Sequence, residues 1–305
     1  MQDSMIRGLL GQDTARFTAI SGKELCEKAR LTHSLSRVCT AALGRTLLAT
    51  VMMGAELKDS RDRLTTIVKG GGPAGNIVCT AGNAGAVKGY IENPGIELPL
   101  GPDGKLDVST AVGWFGELTV VRDLGMKEPY VGRCNLVSGE IAEDFAQYFV
   151  MSEQQPSLVY LGVRVDPQSG AVRAGAGLMI QPLPQCPEED LDALQETAKA
   201  IAEKIERAEG ILDDGMELEA ALAQLFQGLA WRQTGSLMPA FRCDCNRARL
   251  EQALISLGRA ELEDMIQTEH GAQLTCHFCN TTYDFTEADL RRLLQEAMED
   301  GKKKA

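Results

Sequence analysis

Apolar residues recur at two different periods along this chain, and the change of period divides it. Between residues 23 and 57, Leu25, Ala29, Leu43, Leu47, Leu48 and Val51 recur at helical spacing, which predicts helices there. The stretch 38–57 is the most apolar. It also carries Arg45, Glu56, Thr40, Thr46 and Thr50, so it reads as a buried helix rather than a membrane span. The period then shortens. LTTIV (64–68), NIVCT (76–80), AVKGYI (86–91), GELTVV (116–121), SLVYLGVRV (157–165) and AGAGLMI (174–180) are short, β-rich and punctuated by Gly, Pro and Asn. A helix is predicted over 138–153, between strands. Short strands joined by turns, with helices grouped elsewhere, point to an α+β fold whose N-terminal domain is a mostly antiparallel sheet with helices.

GGGPAG (70–75) formally matches the dinucleotide pattern G-x-G-x-x-G and follows a strand. Another strand follows it, so no helix N-terminus is available for a pyrophosphate, and the segment reads as a tight turn. No G-x-x-x-x-G-K-[ST] occurs, so no ATP-driven cycle of that kind is indicated.

Pro182, Pro184 and Pro187 mark a boundary, because proline removes a donor and stops regular structure. Beyond it, 188–230 is predicted helical with two apolar stripes. One is Leu191, Leu194, Ala198, Ile201 and Ile205; the other is Leu218, Leu222, Leu225, Phe226 and Leu229. QTGSLMP (233–239) reads as a second linker. Leu250, Leu254 and Leu257 then predict a short helix stopped by Gly258, and Leu262, Met265 and Ile266 a second. Thr286 with Asp289 reads as an N-cap opening a last helix through Leu290, Leu293, Leu294 and Met298. The expected organisation is a core domain over 1–182, a helical acidic linker region over 183–231, and a small zinc-binding domain with its tail over 232–305.

Composition, 44% hydrophobic and 24% charged, is that of a soluble globular protein. The first residues lack a basic stretch followed by an apolar run, so a cytoplasmic protein is expected. Charge changes the picture more. The net charge is −12, and residues 187–230 hold twelve acidic against three basic residues. Residues 231–305 hold twelve against ten, so a positive footprint is missing and nucleic acid is not the expected partner. The acidic helices must bury their stripes while their other faces repel. They read as a solvated hairpin or as a marginal element held down by its neighbours.

Nine cysteines occur. Cys26, Cys39, Cys79, Cys134 and Cys186 are widely spaced and read as small buried apolar residues of a reducing compartment. Cys243, Cys245, Cys276 and Cys279 fall within 37 residues as C-x-C, a gap of 30, and C-x-x-C. Two close pairs around a helical span point to one four-thiolate Zn2+ site, although both the first pair and the gap depart from the usual spacing. The module has few large apolar residues and is expected to need the metal to fold. Arg242, Arg247 and Arg249 flank the first pair, either offsetting thiolate charge or solvated. His270 and His277 are spare, since four sulfurs complete the shell.

The C-x-C spacing also admits redox chemistry. Residues i and i+2 lie at most about 7 Å apart, against roughly 4.4–6.8 Å needed for a disulfide. Cys243 and Cys245 can therefore bridge under strain, and Cys276 and Cys279 with less. A bridged sulfur is no longer a thiolate ligand, so oxidation and metal binding exclude one another. Two other readings stand beside this switch. One is a thiol–disulfide oxidoreductase using Cys276 and Cys279, against which NTTYDF (280–285) reads as a hairpin or strand rather than a helix start. The other is a static zinc-finger module.

The stretches KGGGPAG (69–75), VKGYIENP (87–94), YFVMSEQQPS (148–157), FRCDCNRARLEQAL (241–254) and TCHFCNTTYDF (275–285) together resemble the 33-kDa redox-regulated heat-shock chaperone family, over essentially the whole chain. The resemblance implies an ATP-independent holdase rather than an enzyme, with an α/β domain, a helical linker and a zinc domain. It implies that Cys243, Cys245, Cys276 and Cys279 hold zinc when reduced. On oxidation it implies bridges Cys243–Cys245 and Cys276–Cys279, zinc release, a loosened linker, binding of unfolding client proteins and homodimerisation, with no membrane or nucleic-acid partner.

Overall fold

The computed structural model describes residues 2–11, 13–184, 186 and 216–303. In chain order the first elements are β1 (Ser4–Leu10), β2 (Ala15–Ser21), α1 (Lys23–His33), α2 (Arg37–Gly54), β3 (Arg63–Lys69), β4 (Ile77–Ala81) and β5 (Ala86–Ile91). There follow α3 (Val108–Val112), β6 (Glu117–Asp123), β7 (Tyr130–Asn135), α4 (Ala142–Glu153), β8 (Leu158–Val165) and β9 (Val172–Pro182). After residue 216 come α5 (Leu218–Leu225), β10 (Trp231–Leu237), β11 (Ala240–Phe241), α6 (Arg247–Leu257) and α7 (Arg259–Asp264). A π-helical turn (Met265–Glu269), β12 (Gly271–Thr275), β13 (Thr282–Thr286) and α8 (Glu287–Lys303) complete the chain. It divides into two units, Met1–Arg242 and Cys243–Ala305.

In the first unit, α2 packs on strands of two sheets. The five-stranded sheet has the order β10-β1-β2-β9-β8 and is antiparallel throughout. The six-stranded sheet has the order β11-β5-β4-β3-β6-β7, antiparallel except where β11 runs parallel to β5. The apolar stretch at 38–57 is the core helix: every residue of α2 is buried except Arg37 and Arg45. A helix apolar all round has no solvent face to fill with charge. Its buried threonines satisfy their own hydroxyls, as Thr46 Oγ1 donates to the Ala42 carbonyl at 2.9 Å and Thr50 Oγ1 meets Thr66 Oγ1 at 2.6 Å. Arg45 escapes to a 2.6 Å ion pair with Glu140. No described helix is long and apolar enough to cross a membrane.

The glycine-rich turn joins β3 to β4, and its backbone is spent on α3. Gly72 N–H donates to the Val112 carbonyl at 2.8 Å and Ala74 N–H to the Ala111 carbonyl at 2.9 Å. A Cβ at Gly72 would overlap the Ala111 carbonyl oxygen and the Val112 backbone. Gly72→Ala is therefore expected to cost about 1–3 kcal/mol, read as a lower urea midpoint. An unchanged midpoint would contradict this close packing.

Three expectations change. The helix expected over 138–153 begins at Ala142. Residues ahead of it form a turn whose amides at Val137, Ser138 and Ile141 donate to the Asp144 carboxylate at 2.8–3.1 Å. The linker expected at 233–239 is mostly strand: β10 pairs with β1 along Met5–Leu10. It is an edge strand, largely exposed and polar, so no apolar alternation betrays it. The first unit accordingly continues to Arg242, past the boundary expected at 231/232. Within 188–230, the described helix is α5 alone. Its stripe is as expected: Leu218, Leu222 and Phe226 are buried, with Leu225 and Leu229 partly so, against Ile6, Leu10, Phe17, Leu178 and Ile180 of the five-stranded sheet. The stripe from Leu191 to Ile205, and most of the acidic charge, lie outside the described residues.

The second unit folds α6, α7 and α8 around the β12–β13 hairpin. Its core is Leu254, Leu262, Ile266, Phe285, Leu290 and Leu293. Leu257, expected on the inner stripe, is 53% exposed, because Gly258 at φ +94° ends α6 there and turns the chain. The expected cap of the last helix forms: Thr286 N–H donates to Asp289 Oδ2 at 2.9 Å, and Asp289 N–H to Thr286 Oγ1 at 3.3 Å. Met298 lies outside the side chains described.

Candidate metal centre

Cys243 and Cys245 sit in the extended segment before α6. Asn246 caps that helix by accepting from Arg249 N–H at 2.9 Å, which fixes the segment's exit. Cys276 and Cys279 sit in the turn of the β12–β13 hairpin. The turn is closed by Cys276 N–H to the Thr281 carbonyl (2.9 Å) and by Asn280 N–H to the Cys276 carbonyl (2.8 Å), with Asn280 left-handed at φ +54°. A strand, β13, follows Cys279, as the sequence suggested, so this C-x-x-C does not open a helix in the manner of a thiol oxidoreductase.

The two pairs converge. All four Sγ atoms lie within 4.8 Å of one another. Two approaches cross between the pairs, Cys243 to Cys276 at 3.8 Å and Cys245 to Cys279 at 3.3 Å. A tetrahedral ion with metal–sulfur bonds of about 2.3 Å requires sulfur–sulfur edges of about 3.8 Å. The donor set, four half-buried sulfurs with no carboxylate or imidazole among them, fits a soft or borderline ion such as zinc. His270 is instead 3.4 Å from Glu287, and His277 is exposed and outside the cluster.

Electrostatics around the sulfurs is uneven. Burial and the neighbouring sulfurs push the Cys243 thiol up, and burial pushes Cys276 up. Burial acts the same way on Cys279. There, hydrogen bonds with Thr281, at its hydroxyl and its amide, and with Cys245 and Cys276, outweigh it and bring the thiol down to about 7. Tyr283 Oη lies 3.3 Å from Cys245 Sγ, and this hydrogen bond with partial burial pushes the phenol up to about 12. Without a metal, Cys279 is thus the readier thiolate, and Cys243 and Cys276 are held as thiols. A metal must displace protons to bind, and its hold weakens as pH falls.

The flanking arginines serve the scaffold. Arg249 pairs with Asp244 at 2.5 Å. Arg247 donates to the Asp284 carbonyl at 2.7 Å, pairs with Asp289 at 3.0 Å and lies over the Phe285 ring at 4.3 Å, so it ties α6 to the hairpin and α8. Arg242 ends the first unit, its N–H donating to the Val87 carbonyl. Of the five remaining cysteines, Cys26, Cys39, Cys79 and Cys134 are buried as expected, and burial raises each thiol. Cys186 is only half-buried, because it follows the end of β9 rather than lying in the core. The sequence offered no sign of Tyr283 or Thr281 as partners of the sulfurs. Both lie within six residues of the C-x-x-C, but only the hairpin register turns them toward it.

The sequence matches the family described as Hsp33 protein over residues 3–286. It is 43% identical over 296 residues to the 33 kDa chaperonin of Alkaliphilus metalliredigens, covering 97% of this chain and 100% of that protein. It is 39% identical over 296 residues to the 33 kDa chaperonin of Clostridioides difficile, with the same coverage of 97% and 100%. The crystal structure of the 33 kDa chaperonin (heat shock protein 33 homolog) from Thermotoga maritima matches with a TM-score of 0.83 at 35% identity, over 98% of this chain and 100% of that one. With likeness in sequence and fold along nearly its whole length, the chain belongs to the Hsp33 protein family.

Proposed function

We propose that this Hsp33-type chaperone is an ATP-independent holdase switched on by oxidation at Cys243, Cys245, Cys276 and Cys279. One observation carries the reading: four sulfurs from two close sequence pairs are gathered within 4.8 Å of one another, with contacts across the pairs. Bound zinc would supply a four-thiolate cross-link between the segment before α6 and the β12–β13 hairpin. Held this way, the sulfurs support a small core, six buried residues among those described.

Oxidation removes the support. A thiolate of one pair attacks a peroxide oxygen, the O–O bond breaks, hydroxide leaves, and the sulfur becomes a sulfenic acid. Its partner in the pair attacks that sulfur, the S–S bond forms, and a second hydroxide leaves. Two sulfurs give two electrons to one peroxide, so Cys243–Cys245 and Cys276–Cys279 together consume two peroxides. Neither bridge leaves a thiolate for the metal, and the cluster gives up its ion. The linker region then loosens and apolar surface becomes available to unfolding client proteins, with homodimerisation. The hydrogen-bonded glycine loop supports a cycle without ATP. The acidic balance supports clients rather than nucleic acid. The reading takes the cytoplasm as the place of action.

The test is treatment of the reduced, zinc-loaded protein with peroxide at raised temperature. Zinc release accompanied by suppression of aggregation of a thermally unfolding client is expected. Retained zinc, or release without any gain in suppression, would sink the reading.

A further inference from the structure

The four sulfurs do not receive the same kind of hydrogen bond. The first of each pair takes a backbone amide two residues on, Cys243 from Cys245 and Cys276 from Phe278. Beside the second of each pair stands a side-chain hydroxyl: Tyr283 Oη lies 3.3 Å from Cys245 Sγ, and Thr281 Oγ1 accepts from Cys279 Sγ at 3.3 Å. Backbone donors come with the fold. The hydroxyls are chosen by the side chain, so they are where the sequence can tune the sulfurs without changing the scaffold.

Tyr283 is well placed for this. It sits on β13 opposite Leu274 of β12, and its ring packs half-buried against the core of the second unit. The ring is thus held by packing and needs no hydrogen bond to stay in place. Cys279 takes the Thr281 amide, whereas the phenol is the side chain that reaches Cys245, and beside a thiolate it is the partner with a proton to donate. A hydroxyl that donates to a thiolate draws electron density from the sulfur and makes it a poorer nucleophile.

We propose that Tyr283 sets the rate at which oxidant opens the thiolate cluster, by holding the Cys245 sulfur back from attack on peroxide. Tyr283 is a positioning residue, acting through Cys245. The inference rests on the reading of these four sulfurs as an oxidisable zinc site. The phenol slows only the first step, in which the thiolate attacks a peroxide oxygen and hydroxide leaves. It adds a kinetic threshold against low oxidant levels.

Tyr283→Phe removes the hydroxyl and keeps the ring. Peroxide-driven zinc release from the reduced zinc protein is expected to run about three- to tenfold faster than wild type, as for loss of one hydrogen bond of ordinary net strength. Zinc transfer to a chelator without peroxide is expected to stay at the wild-type rate. In the cobalt-substituted protein, the sulfur-to-metal charge-transfer band of Tyr283→Phe is expected to move to lower energy. A wild-type peroxide rate in Tyr283→Phe, or equal acceleration with chelator alone, would overturn the inference and leave the zinc switch standing. If wild type resists peroxide, the switch itself fails, and an unmoved cobalt band then overturns the inference separately. A protein that binds neither zinc nor cobalt overturns both.

Discussion

Stripping the metal from the reduced protein is expected to unfold residues 243–303 and leave the first unit folded. Among its described side chains the second unit buries six large apolar ones, Leu254, Leu262, Ile266, Phe285, Leu290 and Leu293. The ion pairs that accompany them are largely exposed, for instance Arg259–Glu263 and Arg291–Glu287, and such pairs contribute about 0–1 kcal/mol each. A structural zinc contributes apparent free energies of about 10–16 kcal/mol in small domains, as much as the whole stability of many proteins. The first unit has its own core around α2 and no such dependence. Hydrogen exchange read by mass spectrometry checks this. After chelation under reducing conditions, protection is expected to vanish from α6, the hairpin and α8 and to persist in α2 and the two sheets. Protection retained across 243–303 would show that the small core suffices.

The second large effect is expected from Phe226→Ala. Phe226 is 1% exposed, with its ring centroid 5.0 Å from that of Phe17 and 6.0 Å from that of Trp231. Truncating such a residue costs about 3–5 kcal/mol. Here the loss falls on the packing of α5 against Ile6, Leu10, Phe17, Leu178 and Ile180. These side chains form an apolar patch once α5 is released, and apolar patches bind other chains. The variant is expected to bind a hydrophobic dye and to suppress client aggregation at lower oxidant, with its metal content at the wild-type level. Lower thermal stability without dye binding would show that α5 is mere cladding.

What was legible in the sequence follows from which signals are local. α2, the central strands and α5's stripe announced themselves because burial on defined faces imposes a period on apolar residues. The four cysteines were legible because spacing and residue type alone restrict their chemistry. β10 was not: Arg232, Gln233 and Thr234 are exposed on an edge strand, and only pairing with β1 makes them a strand. The same holds for Ser4–Leu10 and Tyr130–Asn135, where glycine and polar residues interrupt any alternation. The role of Arg247 was obscured in another way. Its partners Asp284 and Asp289 lie more than thirty residues away and meet it only once the hairpin forms.

The central claim is that the same four sulfurs hold a metal when reduced and pair with their sequence neighbours when oxidised. Metal content, free thiols and a peptide map of disulfides, taken before and after peroxide, test it together. One zinc per chain and nine free thiols are expected before oxidation. Afterwards the expectation is no zinc, five free thiols, and bridges Cys243–Cys245 and Cys276–Cys279. Bridges between the pairs, such as Cys243 to Cys276, or zinc retained alongside bridged sulfurs, would contradict it.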